Sequence, residues 1–322
     1  MTARRTYWHL EGRGRVPQSY DIKTSQLLYH PERGFEVSTP GAAWMLEHAA
    51  GAPLRARFAD FRDPRETTFA RYVELRAEGE SFLDQLLQTA EETGYDARLA
   101  PAWLRVLEAV LPVLRFPAQA LHMLAAYVAH LAPEGRVVVA GAFQAADELR
   151  RLERLCQRMR QLQERVPGFG QRSREEWQAH TAWQPLRELL ERLLVTYNFG
   201  EALIALNLVV KPAFDELFMR EWGEIGMGQG DHLLTELTRA LYRDCCWQRE
   251  YTRALVRSAL VESADNLAPI RLWLGRWWPP MHAALGALVG LWGLEPAVAE
   301  GCVTRIRQVC EAEWLSLGLW TP

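Results

Sequence analysis

The hydrophobic pattern marks the stretch from Trp183 to Trp222 as the centre of the chain. Its first half is amphipathic, with leucines at helical spacing between arginines and glutamates: Leu186, Leu189, Leu190, Leu193 and Leu194. Its second half, Phe199 to Val210, is apolar almost all the way round, which is typical of a helix buried in a large helical domain. This half is far shorter than the ~20 residues that a bilayer requires. We therefore predict one central buried helix, with a kink or break at Pro212, which cannot donate to the carbonyl of Leu208.

Amphipathic stretches on both sides predict further helices. The first begins at Asp63, which suits the N-cap, with Pro64 and Glu66 in the first turn and with Phe69 and Val73 on its apolar stripe. The others cover residues 101–131 (bent or split at Pro112 and Pro117), 137–166, 231–263, 269–291 and 296–315. No stretch predicts a strand. Long helices with short connections predict an all-α bundle.

Polar and glycine-rich segments separate these helices. Residues 167–182 read as a polar linker and Gly223–Gly230 as a break, within which Gly226–Gly230 forms a hinge or turn. The helix at 137–166 also has a charged face opposite its leucines, formed by Glu148, Arg150, Arg151, Glu153, Arg154 and Arg158. A charged helix face is usually solvated, and we expect the same here.

Residues 1–62 differ from the rest, since they are rich in Gly, Pro, Arg and aromatic residues without a sustained period. We predict an extended N-terminal arm at 1–62 and a helical domain at 63–322, with bundle helices at about 63–263 and accessory helices at about 267–316. A disordered tail normally lacks aromatics, so the arm should lie on a partner or on its own domain. The hypothesis favours a partner, with interface residues Tyr7, Trp8, Tyr20, Tyr29 and Trp44.

Composition narrows the classes of function. The chain has 322 residues, 37 Lys and Arg against 40 Asp and Glu, and a net charge of -3, so it offers no basic field for nucleic acid. Thirteen Trp suggest that some lie in a protein–protein interface. Five Cys without a CxxC pair favour reduced thiols and a cytoplasmic location. The N-terminus has no apolar export segment, and the longest apolar run, Ala283–Leu294, is too short for a membrane.

The sequence lacks the residue pattern with which helical bundles bind a pair of iron ions. A ferritin-like di-iron site needs Glu-x-x-His on two helices and a Glu on two others, yet no Glu or Asp in this chain has a His three residues later. We interpret Cys245 and Cys246 as buried structural thiols and His122 as a hydrogen-bonded core residue. Glu201 is expected to pair with an arginine or to contact solvent at the kink rather than to be a reactive group. We expect no catalytic, cofactor-binding or metal-binding residue in this chain.

Several segments, in order along the chain, resemble one family. They are Pro17–Ile22, Leu28–Tyr29, Phe61–Pro64, Ala126–Pro133, Leu186–Leu189, Gly200–Ala202 and Leu206–Pro212. The chain resembles the beta subunit of the hydroxylase component of bacterial multicomponent di-iron monooxygenases, especially the toluene monooxygenase branch. The resemblance implies a degenerate, metal-free ferritin-like bundle. It also implies that Cys245–Gln248 lies where the alpha subunit places its last Glu-x-x-His.

The resemblance further implies partners. An alpha subunit would carry the di-iron centre, a gamma subunit would join it in an (alpha-beta-gamma)2 assembly, and the beta arm would wrap over alpha. A reductase and a Rieske ferredoxin would supply electrons through NADH, FAD and iron-sulfur centres, and a small effector protein would complete the system. The expected function is a non-catalytic subunit of an aromatic-ring hydroxylase. The alternatives are a beta subunit acting on alkenes, propane or phenol, and a free-standing helical binding or regulatory protein.

Overall fold

The computed structural model describes residues 17–24, 43–44, 47–48 and 53–320, and these residues form helices and turns without a strand. The all-α prediction is confirmed. We number the helices α1 Ser19–Thr24, α2 Phe69–Glu92, α3 Pro101–Val110, α4 Arg115–Leu131, α5 Gly135–Arg165, α6 Ser173–Ala179, α7 Gln184–Leu194, α8 199–228, α9 His232–Glu262, α10 Leu267–Val289 and α11 Pro296–Ser316. Short 3₁₀ helices lie at Tyr95–Arg98, Ala264–Asn266 and Gly290–Trp292.

Four helices, α4, α5, α8 and α9, surround the centre of the molecule. The pair α4 and α5 forms a tight hairpin, and α8 continues into α9 through a short turn. Helix α2 covers α5 and α9, α10 and α11 pack on α8, and α7 packs against α4 and α10. The predicted helix at 101–131 is split as expected, since Pro112 lies in the turn between α3 and α4. Pro117 instead lies inside the first turn of α4.

The predicted single central helix is in fact two helices, α7 and α8. Residues 195–198 separate them, and two of these residues, Val195 and Tyr197, are 61% and 45% exposed. The side chain of Asn198 starts α8 by accepting a hydrogen bond from the backbone N–H of Glu201 at 3.0 Å. An N-cap of this kind satisfies a donor that the first helical turn leaves free. The amphipathic and the fully apolar halves therefore belong to different helices.

The break expected at Pro212 does not occur, because α8 changes register around it. Two π-helical segments, Ala205–Val210 and Glu216–Glu221, flank a short α-helical segment, Lys211–Asp215. In the α register Pro212 has no N–H for the carbonyl of Leu208. That carbonyl accepts a hydrogen bond from the indole N–H of Trp314 at 2.8 Å.

The glycine-rich break was also predicted too early. Helix α8 continues through Gly223 and Gly226 and ends at Gly228. The chain then turns at Gln229–Gly230, where Gly230 has a φ of 79°, a region that favours glycine. The turn assigned to Gly226–Gly230 is thus correct only for its last residues.

The first long helix starts later than predicted, at Phe69 rather than near Asp63. Its N-cap is Thr68, in the extended conformation. Asp63 instead holds the preceding loop, since its buried carboxylate accepts from the backbone N–H of Thr67 at 2.9 Å and from the indole of Trp247 at 3.1 Å. A residue with the sequence signature of a helix cap therefore serves as a tertiary anchor.

The core extends beyond the helices. Leu54, Phe58 and Phe61, which precede the helical domain, are buried in the same hydrophobic cluster as the bundle helices. Residues 101–131 are the one helical stretch of the described chain that is long and apolar enough to cross a membrane by composition. Of its most apolar window, 61% is buried.

Replacing Trp314 with Phe tests the contact at Pro212. Trp314→Phe leaves the Leu208 carbonyl without its indole donor, which costs about 1–3 kcal/mol for a buried polar group. Trp222→Phe is the matched control, because the buried indole N–H of Trp222 has no hydrogen-bond partner among the described residues. Urea unfolding should show the larger loss of stability for Trp314→Phe. Equal losses for the two variants would contradict this role.

Candidate functional site

Charged side chains from three helices meet at the centre of the bundle. Glu148 and Arg151 lie one turn apart on α5, Lys211 and Asp215 one turn apart on α8, and Cys245 faces them from α9. All five are buried. A buried charge is tolerated only when it is paired and hydrogen-bonded, so the contacts within this group decide whether the fold is stable. We call these five residues the central cluster.

The central cluster is a closed network of opposite charges. The Lys211 ammonium donates to Asp215 Oδ2 at 2.5 Å and lies 3.1 Å from Glu148 Oε1. Arg151 pairs with Glu148 and lies 3.8 Å from Asp215 Oδ1. Its other guanidinium nitrogen donates to Cys245 Sγ at 3.1 Å. Two cations therefore balance two carboxylates, and a neutral thiol completes the contacts.

The shifts in pKa agree with this balance. Burial opposes ionisation of Asp215, yet Lys211 and Arg151 hold the pKa of its carboxyl below the usual value. Burial also opposes charge on Lys211, but Asp215 and Glu148 together raise the pKa of its ammonium. Burial raises the pKa of the Cys245 thiol well above its usual value despite the two cations nearby. The thiol is therefore protonated and unreactive at neutral pH.

A neutral network continues the polar centre along the same three helices. Gln144 donates to Asn207 at 2.8 Å, Asn207 donates to the hydroxyl of Tyr251 at 3.3 Å, and Tyr251 donates back to Gln144. All three side chains are buried. Because each has a partner, the network fixes the relative positions of α5, α8 and α9 without leaving these groups unsatisfied.

The charged face predicted to be solvated on α5 is largely buried, so that expectation is wrong. Helix α2 covers it, with Arg76 donating to Asp147 at 2.6 Å and Glu80 pairing with both Arg150 and Arg154. Charges of this face also pair with residues outside α2, among them Arg158 with Asp96 at 2.8 Å and Arg150 with Asp244 on α9. The periodicity of the sequence predicts that α5 has a charged stripe, but it cannot predict that α2 covers this stripe.

The central cluster does not fit a di-iron centre. Two pairs keep the i, i+3 spacing of Glu-x-x-His, namely Glu148 with Arg151 and Cys245 with Gln248, and Lys211 projects from α8 between them. Arg151 and Lys211 would repel a dication, and a protonated thiol and an amide are poor iron ligands. In the part of the chain that the structure describes, no group of three or more His, Cys, Asp and Glu could hold a metal.

Other residues singled out from the sequence have structural partners. Glu201 accepts from Arg276 at 2.7 Å and from the indole of Trp277 at 2.9 Å, so the predicted ion pair with an arginine is confirmed. The His122 ring nitrogen Nδ1 lies 2.8 Å from the carbonyl of Ala145, as expected for a hydrogen-bonded residue. Cys245 is buried as predicted, whereas Cys246 is only partly buried.

Of the five aromatics assigned to a partner interface, Tyr7, Trp8 and Tyr29 lie outside the described residues. Tyr20 is only 3% exposed, and its hydroxyl accepts from the backbone N–H of Asp63. The Trp44 ring stacks on His48 with centroids 4.4 Å apart and meets Tyr127 and Tyr197 edge-on. These two rings thus contact this chain's own residues, the alternative left open for the arm.

The fold is that of a ferritin-like hydroxylase subunit of the beta type, as comparison with known proteins shows. Residues 44–263 match the family model described as Methane/Phenol/Alkene Hydroxylase, and the chain belongs to this family. It is 30% identical over 295 residues to the toluene-4-monooxygenase system, hydroxylase component subunit beta, of Ectopseudomonas mendocina, covering 89% of this chain and 90% of that protein. The resemblance inferred from the short segments is confirmed.

Two further relatives show the breadth of the family. A solved structure of toluene 4-monooxygenase with toluene in its resting active site superposes with a TM-score of 0.86 at 30% identity, covering 90% of this chain and 98% of that chain. The propane 2-monooxygenase hydroxylase component small subunit of Rhodococcus jostii (strain RHA1) is 30% identical over 170 residues, 51% of this chain and 46% of that protein.

Removing the Lys211 ammonium tests the pairing in the central cluster. Lys211→Met leaves two buried carboxylates with one cation and should cost about 3–5 kcal/mol. Lys211→Met combined with Asp215→Leu removes one charge of each sign and should recover most of that loss in urea unfolding. The control is Lys23→Met, because Lys23 is the other lysine of the sequence and is exposed. A Lys211→Met protein as stable as this control would contradict the pairing.

The pKa shifts of Asp215 and Lys211 determine the pH range over which their ion pair stabilises the fold. Asp215 has a folded-state pKa below the unfolded value of about 3.9, so its contribution is complete above that pH and is lost as the pH falls further. Lys211 has a pKa above about 10.4, so its contribution is complete below that pH and is lost as the pH rises further. The stability difference between wild type and the double variant should be constant between about pH 5 and 9. A steep slope within that range would contradict the assignment.

Proposed function

We propose that this chain is the non-catalytic beta subunit of a di-iron hydroxylase that hydroxylates toluene- or benzene-like hydrocarbons with O2 and NADH-derived electrons. One observation carries the proposal: in the interior of a hydroxylase-type bundle, where ferritin-like enzymes hold their metal ligands, the cations of Arg151 and Lys211 lie against Glu148 and Cys245. Such a bundle keeps its shape through internal ion pairs. Its role is then to support a sister subunit in which the reaction takes place.

The partners follow from this role. The iron-bearing alpha subunit packs on this chain, which buttresses the helices that hold the iron ligands, since ligands must be kept within about 0.5 Å of their productive positions. A gamma subunit completes an (alpha-beta-gamma)2 assembly in the cytoplasm. The arm at 1–62 wraps over alpha, with Tyr7, Trp8, Tyr29 and the part-exposed Trp44 among its contacts. Effector protein, Rieske ferredoxin and reductase complete the system.

The choice of a toluene-like substrate rests on identity and coverage together. The toluene-related protein is 30% identical over 89% of this chain, the propane-related protein matches only 51% of it, and a phenol-related protein matches 98% of it but at 25% identity. An alkene, propane or phenol monooxygenase is the alternative within the family. A free-standing helical binding protein is the alternative outside it, and such a protein would neither need nor retain a sister subunit.

Metal and activity measurements on the separated and combined subunits test the proposal. The isolated chain should bind no iron and oxidise nothing, because the central cluster holds two cations where a metal would lie. The chain purified with its iron-bearing sister subunit and supplied with the electron-transfer proteins should hydroxylate toluene faster than phenol or propane. The sister subunit alone, handled identically, is the control.

Each reading gives a different result. Stoichiometric iron in the isolated chain would contradict a non-catalytic role. Failure to co-purify with any hydroxylase subunit would favour the free-standing protein. A complex that prefers propane or phenol would retain the scaffold role but move the system to another branch of the family.

A further inference from the structure

Three adjacent helices expose large apolar side chains on one side of the molecule. Phe69 and Val73 on α2 are 72% and 46% exposed, although the predicted apolar stripe assigned both to the core. Met123 on α4 is 50% exposed and Leu149 on α5 is 40% exposed. The exposed positions between them on α4 and α5 are small, so the outer apolar face consists of Phe69, Val73, Met123, Ala126, Ala142, Ala146 and Leu149, with the exposed ion pair of Arg71 and Glu74 at its α2 edge.

Contacts between the helices make this face continuous. Gly141 on α5 lies so close to α4 that a Cβ added there would come within 2.9 Å of the Ala129 Cβ. On the other side of α5, the ring of Phe143 stacks on Tyr72 of α2 with centroids 4.3 Å apart. Tyr72 adjoins Val73, and Phe143 adjoins Ala142, so the exposed positions of α2, α5 and α4 lie side by side.

The α4 and α5 parts of the face are also free of charge. Helix α4 has no charged residue from Phe116 to Leu131, and α5 has none from Val137 to Ala146. The outward side of a surface helix normally carries charged residues. An uncharged face with exposed Phe and Met instead has the composition of the centre of a protein–protein interface. Contiguous apolar patches of this kind mark interaction sites on proteins.

The size of the face suits a stable interface. With neighbouring helix axes ~9 Å apart and a rise of 1.5 Å per residue, three helices over roughly 14 residues present roughly 500–600 Å2 in projection. Because side chains protrude from this plane, the accessible area of the face exceeds its projected area and comes close to the ~800 Å2 that each partner contributes to a specific interface. A transient contact would need less.

We propose that the outer apolar face is the docking surface for the iron-bearing hydroxylase subunit, which meets it with a flat, uncharged pair of helices. This inference rests on the proposed function, because the partner follows from the hydroxylase role. The small residues Ala126, Ala142 and Ala146 let the partner's helices approach closely, and Met123 and Leu149 fill gaps between them. A membrane suits the face poorly, since interfacial helices flank their apolar side with Lys and Arg.

Single arginines placed on the face test the inference. Met123→Arg and Ala146→Arg, each made in the full-length chain, put a charge that would be buried unpaired against the partner. Both should raise the Kd for the iron-bearing subunit roughly tenfold or more. Leu315→Arg is the matched control, since Leu315 lies outside the face on α11 and is 54% exposed. Co-purification followed by dilution and mass measurement gives the Kd values.

The outcomes separate this inference from the proposed function. Loss of binding by both face variants, with unfolding midpoints equal to that of Leu315→Arg, supports the docking surface. Binding as tight as that of wild type contradicts it while leaving the proposed function intact. A wild-type chain that binds no hydroxylase subunit contradicts both.

Other occupants of the face give their own results. Dimers of the isolated chain that Met123→Arg dissociates would assign the face to a second copy and overturn the inference. Flotation of the wild-type chain with vesicles of neutral and anionic lipids would assign it to a membrane. Marked destabilisation of the isolated Met123→Arg and Ala146→Arg chains would show that this chain's own residues cover the face. Each of these three results contradicts the proposal.

Discussion

The fold depends on the neutralisation of charge at the centre of the bundle. Glu148 and Asp215 are buried carboxylates, and neither could stay ionised there without Lys211 and Arg151. Such pairs rarely add net stability compared with apolar residues of the same size, but removing one partner is costly. The central cluster therefore acts as a constraint, because all of its members must be kept or several must change together. This explains how a bundle with the spacing of a metal site can persist without metal ligands.

The unusual geometry of α8 places two members of the central cluster. The π-helical segments on either side of Lys211–Asp215 shift the register of the helix. Such segments are rare and often lie at functional positions. Within the α-helical segment between them, the i, i+4 spacing puts the Lys211 ammonium and the Asp215 carboxylate on the same buried side of α8. Trp314 of α11 then supplies a donor to the carbonyl of Leu208, so a C-terminal helix helps to hold the geometry at the centre.

The all-α class, the split of the helix at Pro112 and the ion pair of Glu201 could be predicted from the sequence. Each of them depends on local residue spacing or on one strong residue preference. The sequence could not show that α2 covers the charged side of α5, since burial of a charged stripe depends on a distant helix. A signal for the central cluster was nevertheless present. Lys211 is one of only two lysines in an arginine-rich chain, it lies at the end of an apolar run, and Asp215 follows one turn later. The helix start at Phe69 was missed because Asp63 was used for a tertiary contact.

A bundle centre occupied by ion pairs is linked to a supporting role in an oxidising complex. Anomalous diffraction at the iron edge, from crystals of the assembled hydroxylase grown with excess ferrous iron, tests that link most directly. Iron peaks are expected only in the sister subunit. In this chain the Lys211 ammonium should lie between the carboxylates of Glu148 and Asp215. An iron peak among Glu148, Asp215 and Cys245 would contradict it.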